Sequence, residues 1–217
     1  QRPDITIVIK DIIDRIVIIR SCKSEKIKVE GNSLVTIYGT ITVEAYDNST
    51  IEAFQTSRAI AYENSNVRAF NHSFVEAYGN SSIEAFNNSK VWARQNSLVY
   101  AYGKSVIEAY DYSKIKSHDR SVITTHDYSL VIAQDKSKII AYDSSKVETF
   151  DSSIVSAFGN SVVKAAMNSS GEAYDNSTVI IYDEEEFKVY GNATVKKYIE
   201  PEHSKNPMFS KQMEVAR

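Results

Sequence analysis

Residues Ser73–Asn88 read SFVEAYGN followed by SSIEAFNN, two eight-residue units that keep Ser first, Val or Ile third, Glu-Ala at four and five, an aromatic ring sixth and Asn last. Extended in both directions, the same register runs from Ser33 to Glu200 without insertion or deletion, as twenty-one consecutive modules. A self-similarity this strict has to be recognised first, because it decides how every other residue is read. Ser opens every module except those beginning at Ile41, Glu185 and Ala193. The third position is Val or Ile except at Ala59, Gly171 and Phe187.

Positions one, three and five are restricted, whereas two and four drift, which is the period of a strand with one packed face and one solvent face. The seventh and eighth positions are rich in Asp, Asn and Gly, residues that tolerate left-handed backbone and bond their own turns. All three prolines, Pro3, Pro201 and Pro207, lie outside the array, so no module lacks an amide hydrogen. A helix is disfavoured, since Ser, Asn, Asp and Val are weak helix formers and an eight-residue step drifts around a helical surface.

Strand plus turn repeated at every eighth position predicts an all-β fold, a parallel β-solenoid (β-helix) of strand-turn modules. A lone module buries too little apolar surface to offset the ordering of its backbone, so cohesion must come from stacking between turns. Residues 33–200 are the regular solenoid. Residues 1–32 form an N-terminal cap with degenerate first rungs, carrying Ile7, Ile9, Val17, Ile19, Ile27 and Val29 in the inward places. The alternative for the start is a capping helix, because Val8, Ile9, Ile12, Ile13, Ile16 and Val17 also fit a helical face; the β-branched content favours rungs. Residues 201–217 are a polar tail or cap.

The number of modules per turn follows from which residues stack. At a step of 24 the second position aligns Phe74, Leu98 and Val122, then Val106, Leu130 and Ile154, then Lys90, Lys114 and Lys138. The fourth position points instead to a step of 16, which pairs Glu52 with Arg68, Glu148 with Lys164 and Glu172 with Lys188. The like-with-like alignment favours three modules per turn, the step of 24, and eight such turns would make a rod on the order of 38 Å long.

The pattern resembles octapeptide arrays of parallel β-solenoid repeat proteins of bacterial and phage type, with the signature Ser-x-Val-x-Ala-Tyr-Asp/Gly-Asn seen in Ser73 to Asn80. The resemblance implies the fold and no catalytic residue. The step of eight is unlike the six-residue repeats of solenoid acyltransferases, and the modules lack the glycine-rich pattern of calcium-binding β-rolls.

Composition narrows the function classes. With 217 residues, 42% hydrophobic and 24% charged, the chain suits one folded unit. A net charge of -3 argues against a phosphate-tracking nucleic-acid binder and against a strongly acidic DNA mimic. One cysteine, Cys22, supports neither an internal disulfide nor a multi-cysteine metal site. No apolar run reaches the roughly 18 residues of a membrane span. Nothing at the start resembles a signal peptide, although Gln1 in place of Met leaves the native start open.

Candidate binding residues come from departures from the repeat. The aromatic sixth position is replaced at Arg94, His118, His126, Gln134 and Ala166, four of them clustered mid-array. A three-module turn would place Arg94 beside His118, near Lys114, Lys116, Asp119 and Arg120, as a patch for an anion or acidic saccharide. Outward Trp92, Phe74, Leu98 and Val122 would form an apolar strip suited to a protein partner or to lateral self-association. The sixth-position rings themselves read either as exposed platforms or, more economically, as a stacked corner belonging to the fold. The four histidines, His72, His118, His126 and His203, are too scattered for a three-histidine zinc site, and turn aspartates such as Asp111, Asp119 and Asp127 need no calcium, so no metal or cofactor is expected.

These features point to a non-enzymatic rigid scaffold, a surface- or virion-associated module binding a protein or glycan along one face. Two alternatives stay open. One is a phage-type inhibitor of a host nucleic-acid enzyme acting through rod-like shape and glutamate stripes at Glu52, Glu76, Glu148 and Glu172. The other is a polysaccharide-cleaving β-helix centred on Arg94, His118 and His126, although an array without insertions offers no walls for a cleft.

Overall fold

The computed structural model describes residues 6–12, 17–20, 26–182 and 185–198. These residues form strands joined by turns, with no helix. The first three strands are β1 (Thr6–Lys10), β2 (Val17–Ile19) and β3 (Lys26–Glu30). From there each module supplies one four-residue strand at its second to fifth positions, from β4 (Leu34–Ile37) to β24 (Thr194–Lys197). Odd-numbered strands make one 12-stranded sheet and even-numbered strands the other, each ordered by chain position, and every pairing is parallel. The fold is therefore the expected all-β parallel solenoid, flattened into two facing sheets.

The turn holds two modules, not three. Ser82 pairs with Leu98 and Leu98 with Lys114, so each strand stacks on the strand two modules before it. Twelve strands per sheet at about 4.8 Å make a rod of roughly 53 Å, longer and thinner than a three-module turn would give. The inward residues explain the geometry. Ser at position one and Ala at position five flank a single Val or Ile, and these inward places are almost all fully buried. Side chains so small fill only a narrow space between two sheets, whereas a three-sided turn encloses more volume and needs bulkier residues to close-pack it. Position two misled because it faces solvent, where like residues need not stack. Position four carried the true step: Arg68 lies 3.7 Å from Glu52 and 3.1 Å from Glu84 on the neighbouring turns, and Lys164 lies 3.0 Å from Glu148.

Backbone bonding continues around the corners. The amide of position six donates to the position-five carbonyl one turn earlier, as from Tyr46 to Val29 at 2.9 Å. Position eight donates to position seven, as from Asn80 to Glu63 at 2.8 Å, and position two to position one, as from Thr50 to Ser33 at 2.9 Å. Within a corner, the position-one amide closes a tight turn onto the position-six carbonyl, as from Ser65 to Tyr62 at 3.1 Å. That carbonyl also accepts the buried seryl hydroxyl in modules such as Ser57, Ser65 and Ser145, whereas Ser49, Ser73 and Ser81 bury theirs without a hydrogen-bond partner.

Position seven takes positive φ throughout the described array, including at non-glycine residues such as Asp111 (57°) and Asp135 (60°). Its carboxylate then bonds the position-seven amide of the preceding turn: Asp47 accepts from Gly31 at 2.8 Å, Asp111 from Gln95 at 2.9 Å and Asp127 from Asp111 at 3.0 Å. Aspartate at this place does two things: it tolerates the left-handed conformation and supplies an acceptor to the one corner amide left out of the backbone ladder. Glycine satisfies only the first requirement. Gly79 meets it where an added Cβ would come 2.9 Å from the Glu63 amide, and Gln95 above supplies its acceptor at 2.6 Å.

At the N-terminus β1 and β2 are rungs, so the helical alternative is set aside for the described residues; Ile13 and Ile16 lie outside them. Val17 aligns with Val35 and Ile19 with Ile37, while Thr6 aligns with Lys26, a looser first turn with a longer step than the array that follows. Ile9, Ile27 and Val29 are buried, whereas Ile7 is exposed. The tail 201–217 and His203 lie outside the described residues, as does Cys22. At the far end, β24 carries Lys197 where earlier modules carry Ala; an exposed charge in the inward register opposes edge-to-edge addition of another sheet.

Gly171 departs from the Val/Ile position for a local reason. It stacks between Val155 and Phe187, and an added Cβ would lie 1.8 Å from the Val155 carbonyl oxygen and 3.0 Å from the Phe187 ring. Small Gly171 and large Phe187 therefore share one column. Gly171→Val should destabilise the protein by about 3 kcal/mol or more, because the contact with the Val155 main-chain oxygen yields only to a backbone shift. Adding Phe187→Val should recover part of that loss in chemical denaturation; strictly additive losses would contradict the shared column.

Candidate binding surface

With two modules per turn, the sixth-position side chains divide into two ladders, one on each edge of the rod. Along the edge where odd strands lead into even ones run Tyr46, Tyr62, Tyr78, Arg94, Tyr110, His126, Tyr142, Phe158, Tyr174 and Tyr190. Adjacent rings there stack at 4.7–5.4 Å, as in Phe158 on Tyr174 at 4.7 Å and Tyr62 on Tyr78 at 5.4 Å. The opposite edge carries Tyr38, Phe54, Phe70, Phe86, Tyr102, His118, Gln134 and Phe150, with Tyr38 to His118 a continuous stack. Apart from the exposed Tyr190, these rings are half-buried and face one another, so they belong to the fold as a stacked corner rather than to an open platform.

This division corrects the expected patch. Arg94 and His118 lie on opposite edges because three modules make one and a half turns. Arg94 places its guanidinium 5.1 Å from the Tyr110 ring centre, filling a rung of the aromatic ladder by cation–π contact. His126 is sandwiched between Tyr110 at 4.9 Å and Tyr142 at 5.1 Å, with Nδ1 3.7 Å from Asp143. His118 stacks on Tyr102 at 5.3 Å, with Nδ1 3.9 Å from Asp135. Arg94 and His126 thus share one edge and His118 holds the other, so the three do not converge on one substrate-sized point.

The apolar strip is also divided. Phe74, Trp92 and Val122 project from the odd sheet, Phe74 meeting Trp92 edge-on at 4.9 Å with Val106 adding to the run. Leu98 projects from the even sheet, on the other face. The glutamate stripes are split and largely engaged. Glu52 and Glu148 lie on the even sheet beside Arg68 and Lys164. Glu76 and Glu172 lie on the odd sheet, Glu76 held by Arg58 and Tyr78, Glu172 by Tyr174.

The edge around His118 holds what the sequence did not single out. Gly103, Lys104, Asp119, Arg120, Asp135, Lys136, Asp151 and Ser152 line an open depression of about 640 Å³ running along the rod. Its signal in the sequence is the doublet Asp119-Arg120 followed two modules later by Asp135-Lys136, invisible at a step of 24. A second feature missed is the pair Tyr112 and Tyr128 on the opposite edge, in places mostly held by Asn, strongly exposed and stacked at 5.5 Å. Among the described residues no three His, Cys, Asp or Glu side chains converge as a metal site.

Electrostatics tie the odd sheet to its edge. Tyr46, Tyr78, Tyr110 and Tyr174 each donate from the phenol to the glutamate two positions earlier, at 2.5–3.1 Å. Burial and then these bonds push Tyr46, Tyr78 and Tyr110 above the ordinary phenol value. The bond to Glu172, with burial second, pushes Tyr174 up to about 12. Burial works against ionisation of Glu44, but its bonds to Lys26 and Tyr46 outweigh that and hold its carboxyl below the usual range.

Comparisons with protein-family models, with curated proteins and with solved structures find no match to this chain.

A raised phenol pKa favours the protonated, folded form, so its contribution to stability is complete below the ordinary value of 10.0 and is lost as pH rises towards about 12. In an ultraviolet titration the native chain should therefore ionise its tyrosines later than the unfolded chain, and Tyr174→Phe should remove part of the delay. Coincident native and unfolded curves would contradict the Glu–Tyr pairing.

Proposed function

We propose that the protein is a non-enzymatic rigid rod that engages a macromolecular partner, a protein or a glycan, along one long face, as a surface or appendage module of bacterial or phage type. The observation that carries this reading is the insertion-free stack, whose outward side chains are held in straight ladders at one-turn spacing. Such a surface offers many weak contacts in fixed register, which suits an extended partner better than a small substrate enclosed in a cleft. The octapeptide resemblance supports the bacterial or phage setting, and the odd-sheet run of Phe74, Trp92, Val106 and Val122 supports a protein partner or lateral self-association.

Neither enzyme-directed alternative draws comparable support. Inhibition of a nucleic-acid enzyme rests on glutamate stripes, and those glutamates are divided between two faces and engaged with cations or phenols. Polysaccharide cleavage rests on Arg94, His118 and His126, which stand on two edges of the rod.

Face-by-face variants test the reading. The full chain, immobilised and incubated with a bacterial envelope fraction, should retain an envelope receptor or glycan. Retention should be abolished by only one of two pairs, Phe74→Ser with Trp92→Ser on the odd sheet or Lys114→Glu with Lys116→Glu on the even sheet. Equal loss with both pairs, or recovery of a nuclease or polymerase that releases steeply with salt, would overturn it.

A further inference from the structure

Among the position-eight residues on the His118 edge, Thr40, Thr56, His72, Asn88 and Ser152 carry no fixed charge, and three successive turns between them carry Lys104, Arg120 and Lys136. The fold does not require cations there, because the corner is closed by main-chain bonds that any residue makes. Lys104 donates its amide to Asn87 at 2.7 Å, Arg120 to Gly103 at 2.9 Å and Lys136 to Asp119 at 2.8 Å. Those bonds fix the three main-chain positions one above another at about 4.8 Å per turn, so three cationic side chains rise from one column.

None of the three side chains has an ion-pair or hydrogen-bond partner among the described residues. The neighbouring carboxylates are turned to another use: Asp119 accepts from the Gly103 amide at 2.9 Å, Asp135 from Asp119 at 3.0 Å and Asp151 from Asp135 at 3.2 Å. Each spends one oxygen on the backbone and leaves the cations free. The depression thus sets Lys104, Arg120 and Lys136 beside Asp119, Asp135 and Asp151, with each of those carboxylates drawn onto the main chain.

We infer that this edge is a binding site for an acidic polysaccharide, a linear chain of uronic-acid residues lying along the depression with same-side carboxylates on Lys104 and Lys136 and the sugar between them on Arg120. This deepens the reading of the rod as a partner-binding scaffold and rests on it. Neighbouring sugars of an extended 1,4-linked chain are turned over relative to one another, so carboxylates on one side recur at every second sugar, close to two turns of the rod; they meet Lys104 and Lys136, and Arg120 between them donates to the intervening sugar. The second oxygens of the exposed Asp119, Asp135 and Asp151 can accept from sugar hydroxyls, donors that a phosphodiester strand largely lacks. In this stretch Tyr102 and His118 are stacked on each other as part of the corner and Gln134 carries no ring, which leaves few ring faces for the bases of a single-stranded nucleic acid.

Calorimetry on the full chain with oligomers of galacturonate, mannuronate and glucuronate tests the site, with the methyl-esterified oligomers and an oligothymidylate as controls. At least one free-acid oligomer should bind, more tightly as its length grows to span three turns and more weakly as salt rises. Its methyl ester should not bind. The exposed triple variant Lys104→Gln, Arg120→Gln, Lys136→Gln should keep its thermal unfolding profile and lose affinity by on the order of tenfold or more. Unchanged affinity in the triple variant, tighter binding of oligothymidylate, or no binding by any of the acids overturns the site. Each of those outcomes leaves the scaffold reading to be decided by the odd- and even-sheet variants, which touch none of the three cations.

Discussion

Everything in this molecule depends on the parallel hydrogen-bond ladder that joins each turn to the next and does not stop at the corners. In most sheets the turns are free of the ladder and can vary in length and shape. Here positions two, six and eight all donate to the turn before, and position seven, where it is aspartate, is joined to it through the side chain. An insertion in one corner would therefore break bonds to two neighbours, which is the physical reason the octapeptide runs without a gap from Ser33 onward. The same constraint sets the composition. Inward places must be small enough for two sheets to face each other, and corner places must accept a left-handed backbone while offering an acceptor.

A rod built this way converts sequence position into spatial position with little freedom. Side chains two modules apart are neighbours, and those one module apart lie on opposite sides. Stacked rings, cation–π rungs and Glu–Tyr pairs then become properties of columns rather than of single residues. Arg94 illustrates the consequence: it replaces a ring and still fills its rung by lying over Tyr110. Lys104, Arg120 and Lys136 illustrate the converse, a column whose members have no partner among the described residues.

The inward half of this architecture was legible in the sequence. Ser, Val and Ala recur at positions one, three and five because burial restricts them, and the strands, the absence of helix inside the array and the N-terminal rungs all follow from that pattern. The number of modules per turn was legible only in the fourth position, where Glu52 and Arg68 or Glu148 and Lys164 face each other across one turn. The second position suggested 24 because apolar and basic residues recur there by chance of surface composition, with no packing to enforce their order. That single error moved Arg94 next to His118 and Leu98 next to Phe74, and it concealed the Asp119-Arg120 and Asp135-Lys136 column. The acceptor role of the corner aspartates was hidden for a different reason: it is a contact between turns, and local turn preference already explained the residue.

The two-module turn is the claim on which the surface assignments rest, and cysteine cross-linking tests it directly. In a Cys22→Ser background, the exposed corner residues Asn64 and Asn80 are replaced by cysteine in one variant, and Asn64 and Asn88 in another. The first pair sits one turn apart on one edge, within the Cα separation of about 4.4–6.8 Å that a disulfide requires. The second pair is three modules apart, on opposite edges. Mild oxidation should close an intramolecular disulfide in the first variant and not in the second. Closure of the three-module pair with the two-module pair left reduced would contradict the two-sheet solenoid and every column built on it.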